Sequence, residues 1–282
     1  MIKCIVFDIG NTLISKSGNN KVASVLISDI KRLRDQGIIV GVASMRTYPL
    51  SKKILDGIEF DFYICLSGAQ IFIDGKKYYD KPIDYTINDY KQVVYYSENE
   101  TYALDEDSAF IAREKGFVVE EVKLDHSDML YNVSLINIEE NEINAYKEKY
   151  HIEYWSKIKV LVLQNKESSK AKAVDQIADY YGLELSEILG FGDGPNDIEF
   201  LSRCGTSISM GNQYKELNDV TTYSTDKEGS LGVSKALRKL GLIKDTVVFF
   251  IESIDDMGGM EIHGKYFIDY FKKYTNLFVV TH

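Results

Sequence analysis

The spacing of apolar and polar residues changes along the chain, and each change marks an element. Cys4-Ile5-Val6-Phe7 is a continuous apolar run closed by Asp8-Ile9-Gly10-Asn11. A run of this kind predicts a strand buried on both faces that ends in a turn. Val22, Val25, Leu26, Ile30 and Leu33 follow at helical spacing, and Gly37 predicts a left-handed helix end. Residues 38–43 predict a second buried strand, which ends at Ser44-Met45-Arg46. Strand, helix, strand in this order is a right-handed parallel unit. Tyr63 to Leu66 predicts a third strand, and residues 71–79 a hairpin on Asp74-Gly75.

From about Asp84 the pattern is different. Strands are predicted at 93–96, 118–119, 130–136 and 158–163, with helices at 105–115 and 140–150. That order is an α+β module of ferredoxin-like type. The parallel pattern resumes at Ser169, with Ala171, Val174, Ile177 and Ala178 on one helix face and Gly182 at its end. Residues 188–192 predict a strand that runs into a second acidic turn, Gly192-Asp193-Gly194-Pro195-Asn196-Asp197. A strand at 206–210 and a helix at 233–240 complete this part. The expected fold class is α/β: a Rossmann-like parallel-sheet core of residues 1–83 and 165–242, interrupted by an inserted α+β cap at 84–164. Residues 243–282 predict a separate strand-helix-strand extension, with a loop at Gly258-Gly259 and a helical stripe of Tyr266, Phe267, Tyr270, Phe271 and Tyr274.

Composition narrows the functional classes. The formal net charge of -10 argues against nucleic acid and against anionic membrane as partners. No apolar run reaches the length needed to span a bilayer. The chain enters its first strand at once, so no signal peptide is expected. Three cysteines, Cys4, Cys65 and Cys204, form no Cys-x-x-Cys pair and predict a reduced, cytoplasmic protein.

In an open parallel sheet, reactive groups lie beyond the carboxyl ends of the strands. Asp8 and Asp193 stand at two such ends, with Asp197 one helical turn on. Two acidic turns suit magnesium, which takes one or two carboxylates plus water and phosphate oxygens. A hydroxyl at a strand end, Ser44, and an ammonium at a helix start, Lys170, suit a phosphate. Singly, each has a plainer reading: a lone Asp or Ser after a strand is a turn residue or cap, and Lys170 a solvated helix lysine. His126 and His151 read as surface histidines, and Tyr95, Tyr96 and Tyr131 as core. The four groups in this order are far more specific than any one.

On these motifs the chain resembles the haloacid dehalogenase superfamily, in the Cof-type subfamily whose cap is inserted between the second and third motifs. The likeness covers roughly residues 1–242. Motif one, usually Asp-x-Asp-Gly-Thr, stands as Asp8-Ile9-Gly10-Asn11-Thr12. Motif two corresponds to Ser44, followed by the usual Arg46; motif three to Lys170; motif four is intact at 192–197. Met210-Gly211-Asn212 and Asp226-Lys227-Glu228-Gly229 resemble the downstream pattern. The resemblance implies a phosphomonoesterase with Asp8 as nucleophile, acting through an aspartyl-phosphate on a small phosphorylated metabolite, a sugar phosphate above all. It implies Mg2+ held by Asp8, the Gly10 carbonyl and Asp193, with Asp197 ordering that shell. Ser44 and Lys170 would bind phosphate, and Asn196 would contact the phosphate or cap the helix.

One departure matters. The second Asp of motif one, which protonates the leaving alcohol and then activates water, is replaced by Gly10. A positioned acid–base group is typically worth ~10²–10⁴-fold. The rival reading is therefore a non-catalytic or weakly active module that binds a sugar phosphate. Residues 250–253, 258–261 and 279–282 resemble the opening unit of GT-B glycosyltransferases. That likeness implies a fused or partner glycosyltransferase; an extra edge unit of the core is the alternative.

Overall fold

The protein is described by a computed structural model over residues 1–15, 19–85, 92–123, 129–211, 214–225, 229–251 and 275–281. The chain opens with β1 (Cys4–Phe7), α1 (Ser24–Asp35), β2 (Ile39–Ala43), α2 (Tyr48–Ile54), β3 (Phe62–Cys65), β4 (Gln70–Ile73) and β5 (Lys76–Asp80). Next come β6 (Val93–Ser97), β7 (Thr101–Ala103), α3 (Glu106–Glu114), β8 (Glu121–Val122), β9 (Leu130–Ile136), α4 (Asn144–Lys147), β10 (His151–Trp155) and β11 (Val160–Gln164). The chain then forms α5 (Lys170–Tyr181), β12 (Ile188–Gly192), α6 (Ile198–Arg203), β13 (Thr206–Met210), α7 (Lys215–Asn218), β14 (Tyr223–Thr225) and α8 (Ser230–Lys239). Last are β15 (Asp245–Ile251) and β16 (Thr275–Thr281).

The main sheet has the order β14-β13-β12-β1-β2-β3-β4-β5. It is parallel from β14 to β3, and the β4–β5 hairpin closes it antiparallel. The hairpin turns on Asp74 and Gly75, at φ 49° and 74°. Positive φ at both turn residues is the geometry that matches strand twist. The strand order reverses beside β1: β2 and β3 follow on one side, β12 to β14 on the other. Such a switch point opens a crevice at the strand ends. Against this sheet, α5 and α6 bury Val174, Ile177, Phe200 and Leu201 on Phe62 and Ile64.

The second sheet has the order β10-β11-β9-β6-β7-β8. Both of its faces are covered. Val94, Tyr96, Tyr131 and Val160 pack with Ala109 and Ala112 of α3, while Tyr95, Tyr102, Val133 and Leu135 face the opposite side. Tyr95, Tyr96 and Tyr131 are buried here, as expected of core residues.

Three local expectations shift. The helix expected at 140–150 shrinks to a single turn at Glu140–Glu142 and α4. Only Ile143 and Tyr150 are buried in that stretch, too few anchors for a longer helix. The strand expected at 118–119 forms instead at β8, where Glu121 pairs with Tyr102. β10 was not expected: His151-Ile152-Glu153-Tyr154-Trp155 is half-buried throughout and lacks the alternation that marks a one-sided strand. It is an edge strand, antiparallel to β11.

Residues Ser234–His282 form a second compact unit. Within it β15 and β16 pair in parallel, from Asp245 opposite Thr275 to Ile251 opposite Thr281. Parallel neighbours require a crossover connection. The Gly258-Gly259 loop and the aromatic stripe expected there lie outside the described residues, as do His126, Asn212 and residues 226–228. Among the described residues no helix is long and apolar enough to cross a membrane.

Candidate active site

Register places the reactive groups. Phe7 of β1 lies between Phe191 of β12 and Val42 of β2, so Asp8, Asp193 and Ser44 emerge together at three neighbouring strand ends. Lys170 opens α5, whose N-cap Ser169 accepts a hydrogen bond from the Lys172 backbone. An ammonium at a helix N-terminus opposes the helix dipole. Two carboxylates hold it there: Lys170 Nζ donates to Asp8 Oδ1 and to Asp197 Oδ1, each at 2.7 Å. All three side chains are buried.

Asp197 is fully engaged. Its second oxygen accepts from the backbone N–H of Asp193 at 3.0 Å and of Gly194 at 3.1 Å. The fit explains Gly192, where a Cβ would lie 2.6 Å from the Asp197 Cβ. Asp193 is held from the first turn: Asn11 Nδ2 donates to Asp193 Oδ2 at 3.0 Å. Asn11 has φ 51°, a left-handed angle that Asn tolerates better than most residues. Ser44 Oγ accepts from the Arg46 backbone and from Arg46 Nη1, each at 3.3 Å.

The electrostatics follow from crowding. Asp8, Asp193 and Asp197 each bring a carboxylate oxygen within 4.8 Å of the others. Burial pushes the Asp8 carboxyl up to about 6, against the pull of Lys170. Burial, then the charges of Asp8 and Asp197, push Asp193 up to about 8. Burial draws the Lys170 ammonium down, but Asp197 and Asp8 outweigh it and the net direction is up. A cluster that repels itself this strongly suits a divalent cation, and Asp8 and Asp193 keep oxygens that Lys170 does not take.

Above these turns lies a cavity of about 680 Å³ between the main sheet and the second sheet. Asp8, Gly10, Ser44, Asp193 and Asn196 line its floor, and Arg46 borders it. The cap side is built from α3's C-terminal loop and the β10–β11 hairpin, with Phe117, Trp155, Lys157 and Ile158. The structure therefore brings Asp8, Gly10, Ser44, Lys170, Asp193, Asn196 and Asp197 to one place.

Residues 5–237 match the family of haloacid dehalogenase-like hydrolases. The chain belongs to that family. Among its relatives is YkrA of Bacillus subtilis (strain 168), 24% identical over 261 residues, spanning 86% of this chain and 99% of YkrA. A second relative is 5-amino-6-(5-phospho-D-ribitylamino)uracil phosphatase YwtE of the same organism, 22% identical over 287 residues, spanning 85% of this chain and 98% of YwtE. Among solved structures, the haloacid dehalogenase phosphatase BT1666 of Bacteroides thetaiotaomicron superposes with TM-score 0.72 at 25% identity, over 86% of this chain and 96% of that one. Family membership and the Rossmann-like α/β core agree with the sequence reading.

Several residues escaped it. Asn11 was read as part of a motif, not as the holder of Asp193; only a left-handed turn position could have hinted at it. His151, read as a surface residue, is half-buried on the edge strand, with Nε2 3.6 Å from Glu199 Oε2, and burial pushes its pKa down. The aromatic wall of the cleft had no periodic signal. All three cysteines are free and buried, so their thiols are shielded.

Proposed function

We propose that this hydrolase is a magnesium-dependent phosphomonoesterase that works through an aspartyl-phosphate at Asp8. The observation that carries the reading is the buried Lys170 ammonium, 2.7 Å from both Asp8 and Asp197, beneath a cleft large enough for a small metabolite. Lys170 orients the Asp8 carboxylate, one oxygen of which attacks phosphorus while the other is left for the metal. The new bond is Asp8 carboxylate oxygen to phosphorus; the bond that breaks is phosphorus to the ester oxygen, which leaves as the alkoxide and takes a proton from water. Water then releases phosphate and regenerates the carboxylate. Asp8, Asp193 and the Gly10 carbonyl would hold Mg2+, which when bound neutralises phosphoryl oxygens and orients the ester. Asp197 has both oxygens in hydrogen bonds, which supports an ordering role. Ser44, Asn196 and Lys170 would bind phosphoryl oxygens.

The resemblance offers a sugar phosphate as substrate, and the cleft has room for one. Gly10 supports a second reading, a module that binds a phosphorylated sugar with little turnover, beside a fused or partner glycosyltransferase. Phosphate release from a panel of monoesters, with and without magnesium, separates the two. Magnesium-dependent release that disappears in Asp8→Asn supports the esterase. Saturable binding with no release in the parent protein supports the module.

A further inference from the structure

The walls of the cleft say more about the alcohol than its floor does. Among the described residues that line it, the cap supplies no carboxylate and no carboxamide. A polyhydroxylated sugar is held best by such partners, because each hydroxyl buried without one costs free energy. Beside the hydroxyls of Tyr96, Thr101, Tyr154 and Ser156, and with Glu216 on the core side, the cap supplies rings and aliphatic groups. Phe117 and Trp155 stack with centroids 5.5 Å apart and planes 12° from parallel. Met45 of the core and Ile158 of the hairpin pack on the same apolar cluster. The Trp155 N–H has no hydrogen-bond partner among the described residues, so packing alone holds that ring.

Two cations stand at this wall. Lys115 is committed to the Ile158 carbonyl at 2.6 Å. Lys157 is exposed, and its ammonium lies 3.8 Å from the centre of the Tyr214 ring, joining the cap hairpin to the core beside the cleft. A surface of stacked rings offers a flat aromatic ring a stacking partner, with a cation beside it.

We infer that the esters this cleft selects carry a planar aromatic or heteroaromatic ring on the alcohol side, held against Phe117 and Trp155 with Lys157 beside it. The inference rests on the phosphomonoesterase reading for its reaction but not for its binding surface. The Asp8 floor takes the phosphate and the cap wall takes the ring. Ring recognition is separate from leaving-group reactivity, so the test must hold the latter constant.

Trp155 is the only tryptophan in the chain, so indole fluorescence reports this wall alone. The probes are nitrophenylpropyl phosphate, propyl phosphate and a hexose phosphate, all alkyl esters of similar intrinsic reactivity. The nitro ring quenches indole on contact. The ring-bearing ester should quench saturably and show a KM roughly 3- to 10-fold below that of propyl phosphate, the range expected for one aromatic contact. Phe117→Leu and Trp155→Leu should each bring that ratio toward one. Two variants are used so that a misfolded one does not decide the matter. If no ester is hydrolysed but the ring still quenches saturably, the esterase reading fails and the ring site stands. A hexose phosphate that binds more tightly than the ring-bearing ester, or an indole signal unmoved by it, overturns the inference.

Discussion

Restoring the missing acid with Gly10→Asp tests how this site breaks its ester. The leaving oxygen gains negative charge as its bond to phosphorus lengthens. A phenol, with a pKa of about 10, leaves with little help; an alkanol needs a proton. The parent protein should therefore hydrolyse phenyl phosphate well and propyl phosphate slowly. The turn accepts the change. Gly10 is not among the residues of positive φ, and a Cβ there would meet Arg46 Nη1 at 3.4 Å, Nη2 at 3.5 Å and Asp8 Oδ2 at 3.9 Å. These are ordinary contacts. The new carboxyl would stand beside a guanidinium and close to a cluster of carboxylates. The first lowers its pKa and the second raises it. Asp8 shows how such a contest ends: with Lys170 in contact and Arg46 near, burial still pushes it up to about 6. A carboxyl at position 10 meets the same opposing influences, and the pH dependence of the restored rate reports which of them wins.

A positioned acid contributes ~10²–10⁴-fold. Pairing with Arg46 favours the low end, so kcat for propyl phosphate should rise about 10²-fold, close to 2.7 kcal/mol at 1.36 kcal/mol per decade. Phenyl phosphate should gain less in kcat/KM, because its departure never needed the missing proton; any gain from activating water on the aspartyl-phosphate is shared by both esters and cancels in their ratio. The assay is the ratio of the two rates in parent and variant, with magnesium, from pH 6 to 8. An unchanged propyl rate, in a variant that is folded and keeps its magnesium-dependent rise in Tm, refutes the reasoning. So does a parent protein that cleaves both esters equally fast.

Magnesium and pH should act together. Asp193 at about 8 and Asp8 at about 6 hold protons that the unfolded chain has already lost, so without metal the stability falls as pH rises from about 4 to about 8. Metal binds the deprotonated carboxylates, so millimolar magnesium should raise Tm more at pH 8 than at pH 6, and Asp193→Asn should lose most of that rise. Equal shifts at both pH values would count against the assignment. Asp8→Asn should abolish turnover with the fold intact, since an amide cannot form the acyl phosphate; activity near the parent level would make Asp8 only a ligand. Arg46→Met should lower kcat/KM about 10²-fold, with Arg46→Lys recovering only part because lysine lacks the planar fork. A loss confined to Tm would make Arg46 structural.

The floor of the site was legible in the sequence because each of its residues is fixed by backbone. Asp8, Ser44 and Asp193 follow apolar runs that can only be buried strands, and Lys170 follows a capping Ser169. Once the strands are parallel neighbours, their ends must meet. The cleft wall was not legible because tertiary packing alone fixes it. Phe117 leaves a helix end, Trp155 an edge strand with no alternation, and Tyr214 a loop before a four-residue helix. Nothing local says that they face one cavity. The shortened helix near Ile143 has the same cause: its acidic residues satisfy helix propensity, but too few side chains find a core.

Gly10 and Asn11 are better understood as one change than as two. In the family pattern the acid precedes the glycine; here glycine comes first and Asn11 takes the left-handed position. Asn pays a smaller penalty there than other side chains, and its amide reaches Asp193 at 3.0 Å. This hydrogen bond goes to a carboxyl whose neighbours repel its charge, and it favours the charged form. Removing an Asp from position 10 takes a further negative charge away from that crowd. Both substitutions thus relieve the same repulsion, one by subtraction and one by a donor. The cost falls on the leaving group, which loses its acid. Under the phosphomonoesterase reading, a site changed in this way favours esters whose alcohol leaves without a proton.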